Sequence, residues 1–345
     1  MVEREFDILV IGATGYTGRL VIEYLANHSR ASSLHIALGG RTISKVQDLA
    51  NKYHNIGAVY VDVDKEQTVQ EAVAKTRVVI NIAGPYWTRG SVVVRACARN
   101  GVHYVDLTGE APRVSKIIED FFEDVPREHR LKGAGWGLSP MPAPPGYRSK
   151  PSILYSLPYV KPTIWGGIFF MNGINAPIVR RSWGLRHYQL YSSHLPTFSY
   201  TEFHNTGSRL NGVLLSLGLM TTMFGLAVAP PLRWLLKWVM PKSGEGPKPD
   251  KLDSGRFEVI NVAEGGGIVV KARMDGDGDP GYRITSIMIV ESALLLLDPE
   301  NLTEDGKEGG VLTPSVAYGD ALVKALDGTG RFRFGVEVLE DKKTR

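Results

Sequence analysis

The run Ile8-Leu9-Val10-Ile11-Gly12-Ala13-Thr14-Gly15-Tyr16-Thr17-Gly18-Arg19-Leu20 constrains this chain more than any other feature. Four apolar residues, three of them β-branched, read as a buried strand, and the residues after Gly18 carry the spacing of an amphipathic helix. Three glycines at spacing three join the two. Gly12 permits the tight turn, Gly15 lets a backbone come close to a pyrophosphate, and Gly18 lets the helix pack tightly on the sheet. The unpaired N–H groups and positive dipole end of that helix then face an anion. A glycine triplet alone says little; its weight comes from standing at the first strand of a repeated pattern.

That pattern runs from Phe6 to Phe122. Short β-branched runs at Asp7–Ile11, His35–Leu38, Ala58–Val63, Val78–Ala83 and His103–Leu107 alternate with amphipathic segments at Gly18–Asn27, Ser44–Lys52, Glu66–Ala74 and Ser91–Asn100. Strands joined by helical crossovers must be parallel. The fold class expected is α/β: an N-terminal Rossmann-type parallel sheet over residues 1–125, with a second α+β domain after it. Residues 126–151 are dense in Pro and Gly and read as a linker.

The second domain is expected over 152–310. It begins with irregular polar and aromatic residues, followed by an apolar segment at 212–240. Gly212 to Ala229 holds 18 residues without a charge, and Arg233, Trp234, Lys237 and Trp238 follow like interfacial anchors. Two readings stand: a buried helix pair, or contact with a membrane or lipid surface. Arg256–Ala263 and Ile268–Met274 flank Glu264-Gly265-Gly266-Gly267 as a hairpin, and Tyr282–Leu297 reads as a buried helix. Residues 311–345 are read as a C-terminal helix, Pro314–Leu326, and a tail.

The second strand ends Leu38-Gly39-Gly40-Arg41-Thr42, where an NAD-selective site would place an acid on the ribose hydroxyls. Arg41 can pair instead with a 2′-phosphate, aided by Thr42, Ser44 or Lys45, so the cofactor expected is NADP(H). The cofactor-binding set is Gly12, Thr14, Gly15, Tyr16, Thr17, Gly18, Arg41, Asp62, Ala83 and Gly84. Asp62 either meets the adenine edge or caps the next helix. Tyr86, Tyr104, Asp106 and Glu110 fall near the rim where the nicotinamide end should lie. Tyr86 is a candidate for a proton donor, with a packed tyrosine as the alternative, and no residue is assigned as the catalyst.

Other chemistries find no support. A Tyr with Lys four residues on, a GxSxG elbow and a Walker A loop are all missing from the sequence. The eight histidines form no i, i+4 pair and have no cysteine companions, so no metal site is expected. The formal charge of +4 is small and interspersed, which argues against nucleic-acid binding. The lone Cys97 reads as a core residue in a reducing compartment. Glu3, Arg4 and Glu5 lead straight into a strand, unlike a secretory signal, so the cytoplasmic side is expected.

The runs FDILVIGATGYTGRL, ALGGRT, VVINIAGPY, GVHYVDLTGE, INAPIVRRS, GDPGY with ESALLL after it, and GGVLTPSVAYGDAL spread over about three quarters of the chain. In this order they resemble the saccharopine dehydrogenase-like oxidoreductases, which include trans-acting enoyl reductases of bacterial lipid biosynthesis. The resemblance implies an NADP-type Rossmann domain, a second domain with a mixed sheet, and a C-terminal helix packing back on the first. It also implies association with membranes or lipid droplets for some members. The chain departs from the family at one place. Members follow the VDLTGE run with a helix, a strand and a glycine-phenylalanine-aspartate-serine-type loop, whereas Phe122 to Tyr159 here holds only the Pro/Gly-rich segment.

Two functions of different class follow. One is NADPH-dependent reduction of a C=C (enoyl) bond in a lipid-like or polyketide-like substrate, a reaction taken from the resemblance. The other is a non-catalytic nucleotide-binding protein at a lipid surface that has lost its active site. Expected partners are a small-molecule or lipid-like substrate, a membrane or lipid-droplet surface and a second copy of the chain.

Overall fold

The computed structural model describes residues 4–121, 136–143, 152–186, 198–239 and 244–341. Two compact units emerge. One comprises residues 1–127, 246–259 and 274–334, the other 128–245, 260–273 and 335–345.

The first unit is built on five parallel strands: β1 (Phe6–Ile11), β2 (Ile36–Gly40), β3 (Ile56–Tyr60), β4 (Thr76–Asn81) and β5 (His103–Asp106). Their order is β3-β2-β1-β4-β5, the doubly wound arrangement with crossovers on both sides of β1. The crossovers are α1 (Tyr16–Ala26), α2 (Ile43–Ala50), α3 (Glu66–Ala74) and α4 (Tyr86–Asn100), with α5 (Ala111–Asp120) after β5. Strand alternation supplies two cores. Ile8 and Val10 face Val21, Ile22 and Leu25 of α1, while Leu9 and Ile11 face the layer with Val69 and Val93. Each fully buried aliphatic of this kind contributes about 1.5–3 kcal/mol. Cys97 is in the second core, where burial pushes its thiol well up.

The sequence expectation drifts at several element ends, among them those of two strands and one helix. β3 ends at Tyr60 instead of Val63, because the Thr68 hydroxyl accepts from the Asp62 amide and turns the chain away. β4 ends at Asn81 instead of Ala83, and the Asn81 side chain accepts from the Ala83 amide just past the ladder. The following helix starts at Tyr86, five residues before the expected Ser91, with Pro85 at its N-cap.

The second unit contains β6 (Tyr155–Leu157), β7 (Ile164–Ile168) and β8 (Phe203–Asn205), an antiparallel sheet ordered β6-β7-β8. It also holds α6 (Asn172–Leu185), α7 (Arg209–Val228) and α8 (Pro230–Val239). The stretch read as irregular thus contains α6, which Pro177 inside it and the adjacent Arg180 and Arg181 concealed from a periodicity reading. The expected linker is packed where it is described. Trp136 meets Trp183 edge-on, Leu138 is buried, and the Leu138 carbonyl accepts from Arg181. The rest of that segment lies outside the described residues.

The remaining elements are α9 (Pro249–Ser254), β9 (Arg256–Gly265), β10 (Ile268–Asp277), α10 (Arg283–Leu295), α11 (Glu304–Glu308), α12 (Pro314–Tyr318), α13 (Asp320–Gly328) and β11 (Phe332–Asp341). β9 and β10 form the expected hairpin, in a three-stranded sheet ordered β11-β10-β9. Two expectations need correcting. Residues 246–259 and 274–310 do not belong to a consecutive domain at 152–310; Ile289, Val290 and Ala293 of α10 enter the same core as α1 and β1. Residues 311–345 are not a helix and a tail, because the helix breaks at Gly319 (φ 53°) and the alternating run after it pairs as β11.

Candidate functional site

In a parallel sheet all carboxyl ends share one edge, and ligands bind there. The ten residues expected at a cofactor all lie on this edge: Gly12, Thr14, Gly15, Tyr16, Thr17 and Gly18 after β1, Arg41 after β2, Asp62 after β3, and Ala83 and Gly84 after β4.

The turn after β1 is shaped by want of space. Gly12 has φ +89°, and a Cβ on it would stand 2.8 Å from the Ala83 nitrogen. A Cβ on Gly18 would stand 2.4 Å from the Gly12 carbonyl oxygen, so α1 can approach β1 only with glycine there. Gly15 is the N-cap of α1 and supplies no side-chain cap. The first-turn N–H groups of α1 are therefore left to an external acceptor, which is what a pyrophosphate requires. Gly84 opens onto free space, with nothing within 4 Å of an added Cβ.

Arg41 is 61% exposed at its side chain and lies 4.0 Å from Asp64, which also pairs with Arg89 of α4 at 3.3 Å. Two guanidiniums thus border the carboxyl end of β2 and could take an anion there. The Asp62 carboxylate accepts from the Asp64 amide and shapes this turn, while the N-cap of α3 is Lys65 with no side-chain cap. Tyr16 is held from outside: its hydroxyl donates to the Pro247 carbonyl at 2.5 Å, and its ring meets Tyr282 edge-on at 5.0 Å. Burial, with Tyr282 and Asp279 nearby, raises the Tyr16 phenol above its ordinary value.

At the ends of β4 and β5 a polar network fills the rim. Asn81, fully buried, donates to the Tyr104 hydroxyl at 3.1 Å, and that hydroxyl donates to Asp106 at 2.6 Å. Arg113 of α5 donates to the same carboxylate at 3.0 Å. Gly90 of α4 leaves the room this arginine needs, since a Cβ there would stand 2.4 Å from its Nη2. Burial and the Asp106 charge push the Tyr104 phenol far up. Burial opposes the charge of Arg113, but Tyr104 and Asp106 outweigh it and hold the guanidinium above its ordinary value. Tyr86 donates to the Asn81 carbonyl at 3.1 Å and accepts from the Leu107 amide at 3.4 Å; burial and then Asp106 push it up to about 12. Its proton is thus held by the fold. Glu110 keeps a buried Oε2 without a hydrogen-bond partner among the described residues.

Sequence reasoning named Tyr104, Asp106 and Glu110 but missed Asn81, Arg89 and Arg113. Asn81 had a signal, a lone amide inside the apolar run Val78–Ala83. Arg113 and Arg89 had none, because their partners lie across helix–sheet packing. Among the described residues no three His, Cys, Asp or Glu side chains gather as a metal would require.

A doubly wound sheet with an uncapped glycine turn, an arginine where NAD selectivity would need an acid, and an open strand end marks an NADP(H)-binding domain. The residues present fit that cofactor: the N-terminus of α1 at Gly15 would take the pyrophosphate, and Arg41 would take the 2′-phosphate. Residues 8–130 match the family model of the saccharopine dehydrogenase NADP binding domain. The chain is 30% identical to a Mycobacterium tuberculosis protein provisionally named a trans-acting enoyl reductase, over 95% of this chain and 96% of that one. It belongs to the saccharopine dehydrogenase-like oxidoreductases. The trans-acting enoyl reductase of Mycobacterium bovis is 26% identical, covering 95% and 97% of the two chains. A Caenorhabditis elegans lipid droplet localized protein is 29% identical over 145 residues, 39% of this chain and 34% of that one. The first alignment spans 414 positions against 345 residues here, so at least 414 less 345, or 69, positions have no counterpart in this chain.

Proposed function

We propose that the chain is an NADPH-dependent reductase of an activated C=C bond in a lipid-like or polyketide-like substrate, working at a lipid surface. The observation that carries the reaction is the alignment with trans-acting enoyl reductases along nearly the whole of both chains. The lipid surface is supported by the partial likeness to a lipid droplet protein and by the exposed apolar helix α7.

NADPH, when bound, supplies the hydride. The chain's own residues bind and orient it: the α1 N-terminus holds the pyrophosphate, Arg41 the 2′-phosphate, and Gly84 keeps the strand end open for the nicotinamide. The Arg113–Asp106–Tyr104–Asn81 network fixes the ends of β4 and β5, so the rim keeps its shape when substrate arrives. Tyr86 acts as a positioning residue, since its hydroxyl is committed to backbone on both sides. Its replacement by Phe should change KM for the nicotinamide cofactor more than kcat and leave the pH profile below 9 unmoved.

The test is NADPH oxidation with a panel of enoyl thioesters, ketones and imines. Turnover confined to the enoyl compounds is the expected result; turnover only with ketones or imines would overturn the reaction assigned. A second reading, a nucleotide-binding protein without catalysis, is favoured by the 69 or more unmatched positions. It predicts tight NADPH binding with no turnover on any member of the panel.

A further inference from the structure

The second unit carries an apolar hairpin that its own core does not use. β7 holds α7 by one end: a Cβ on Gly212 would stand 2.8 Å from the Gly166 carbonyl oxygen, and the Ser216 hydroxyl accepts from the Ile168 amide at 2.9 Å. Arg209 caps this end with its guanidinium 4.1 Å from the centre of the Trp165 ring. Gly212 and Ser216 are the buried residues of α7. From Leu217 to Trp234 not one side chain is buried.

What this segment exposes is apolar. Leu214, Leu217, Met220, Met223, Phe224 and Val228 all face outward, with Met223 at 68% and Phe224 at 69% exposure. The Thr221 hydroxyl is satisfied inside the helix by the Leu217 carbonyl at 2.9 Å, so it brings no unmet donor into an apolar medium. α8 packs back on α7, with Leu232 3.1 Å from the place of a Cβ on Gly225. α8 also carries Trp234 and Trp238, exposed at 61% and 76%, side chains that favour the boundary between lipid and water.

Charge names the surface. Between Glu202 and Glu245 the sequence holds no acid, while Arg209, Arg233, Lys237 and Lys242 are cations, which suits an anionic head-group layer. Length and charge together set the depth. The free part of α7, Leu217–Val228, rises about 18 Å at ~1.5 Å per residue, short of the ~30 Å hydrocarbon core. A hairpin standing upright would also carry Arg233, three residues past Pro230, close to its deepest point.

We infer that α7 and α8 lie in the plane of one leaflet of an anionic phospholipid membrane, as a monotopic hairpin that does not cross. The apolar residues of α7 and the two tryptophans face the acyl chains, and Arg209 and Arg233 face the phosphates. This deepens the lipid-surface reading above without resting on the reduction reaction.

The test uses the full chain with a fluorescent label on Leu217→Cys, Phe224→Cys or Val228→Cys, all exposed positions. The labelled wild type serves as blank, because Cys97 is only 2% exposed. Vesicles of phosphatidylcholine and phosphatidylserine, brominated at different heights along the acyl chain, report depth. The expected result is quenching of all three labels at one shallow depth, with binding about a hundredfold weaker when phosphatidylserine is left out. A Val228 label far deeper than the Leu217 label would overturn the in-plane hairpin alone. No quenching at any label would overturn the lipid surface as well. Labels already shielded from iodide before vesicles are added would assign the hairpin to a second copy of the chain and overturn the proposal.

Discussion

The sheet of the first unit and the α7–α8 hairpin of the second are both rich in aliphatic residues, yet the fold treats them oppositely. Ile8, Leu9, Val78 and Ile80 are wholly buried between helical layers. Leu217, Met223 and Phe224 stand in the open. Apolar residues inside a sheet hold a binding edge rigid; apolar residues left outside are themselves a binding surface. The lesson is that composition locates such segments, and only burial assigns their work.

The largest effect should come from the rim of the sheet. Arg113→Ala leaves the Asp106 carboxylate buried beside Tyr104 without its cation, and the loss expected is about 3–5 kcal/mol in urea unfolding. A change under about 0.5 kcal/mol would mean that the network is solvated and not structural.

Next comes a direct contrast of the two regions. Ile80→Ala should cost about 2–5 kcal/mol, as truncations at fully buried aliphatics do. Phe224→Ser, at a larger but exposed side chain, should stay within about 0.5 kcal/mol. If Phe224→Ser destabilises as much as Ile80→Ala, the hairpin is core and the comparison fails.

The smallest effect is in alkali. Burial and then Asp106 raise Tyr86 from 10.0 to about 12, and the Tyr104 phenol is raised as well. A raised acid favours its protonated form when folded, so this stability is whole below pH 10 and is lost as pH rises through the folded value. Tyr86→Phe should therefore flatten the fall in stability between pH 10 and about 12 while leaving the curve at neutral pH unchanged in shape. An unaltered alkaline limb would show the hydroxyl to be free of the fold.

The parallel sheet was legible because its strands are short, apolar on both faces and separated by helical spacing, a pattern that local residues set. Gly12 and Gly18 could be assigned their work from their spacing at the first strand of a repeated pattern, and contacts of 2.8 and 2.4 Å to an added Cβ give the reason. Strand ends were less legible, since side chains such as Thr68 and Asn81, not strand propensity, decide where β3 and β4 stop. β11 was missed because a lone alternating run at the end of a chain has no local partner to reveal it. The polar rim was half legible: Tyr104 and Asp106 share a strand, whereas Arg113 reaches them from α5. The depth of α7 was not legible at all, as an apolar helix reads the same buried or bare.

The central claim is that this sheet edge holds NADP(H) through Arg41. Its most direct test is a fluorescence titration of the purified chain with NADPH and with NADH, beside the Arg41→Ala variant. The result expected is a clear preference for NADPH that falls about 10- to 100-fold in the variant, the worth of a charge-assisted hydrogen bond, with NADH binding unchanged. Equal binding of the two nucleotides, or a preference that survives the loss of Arg41, would contradict it.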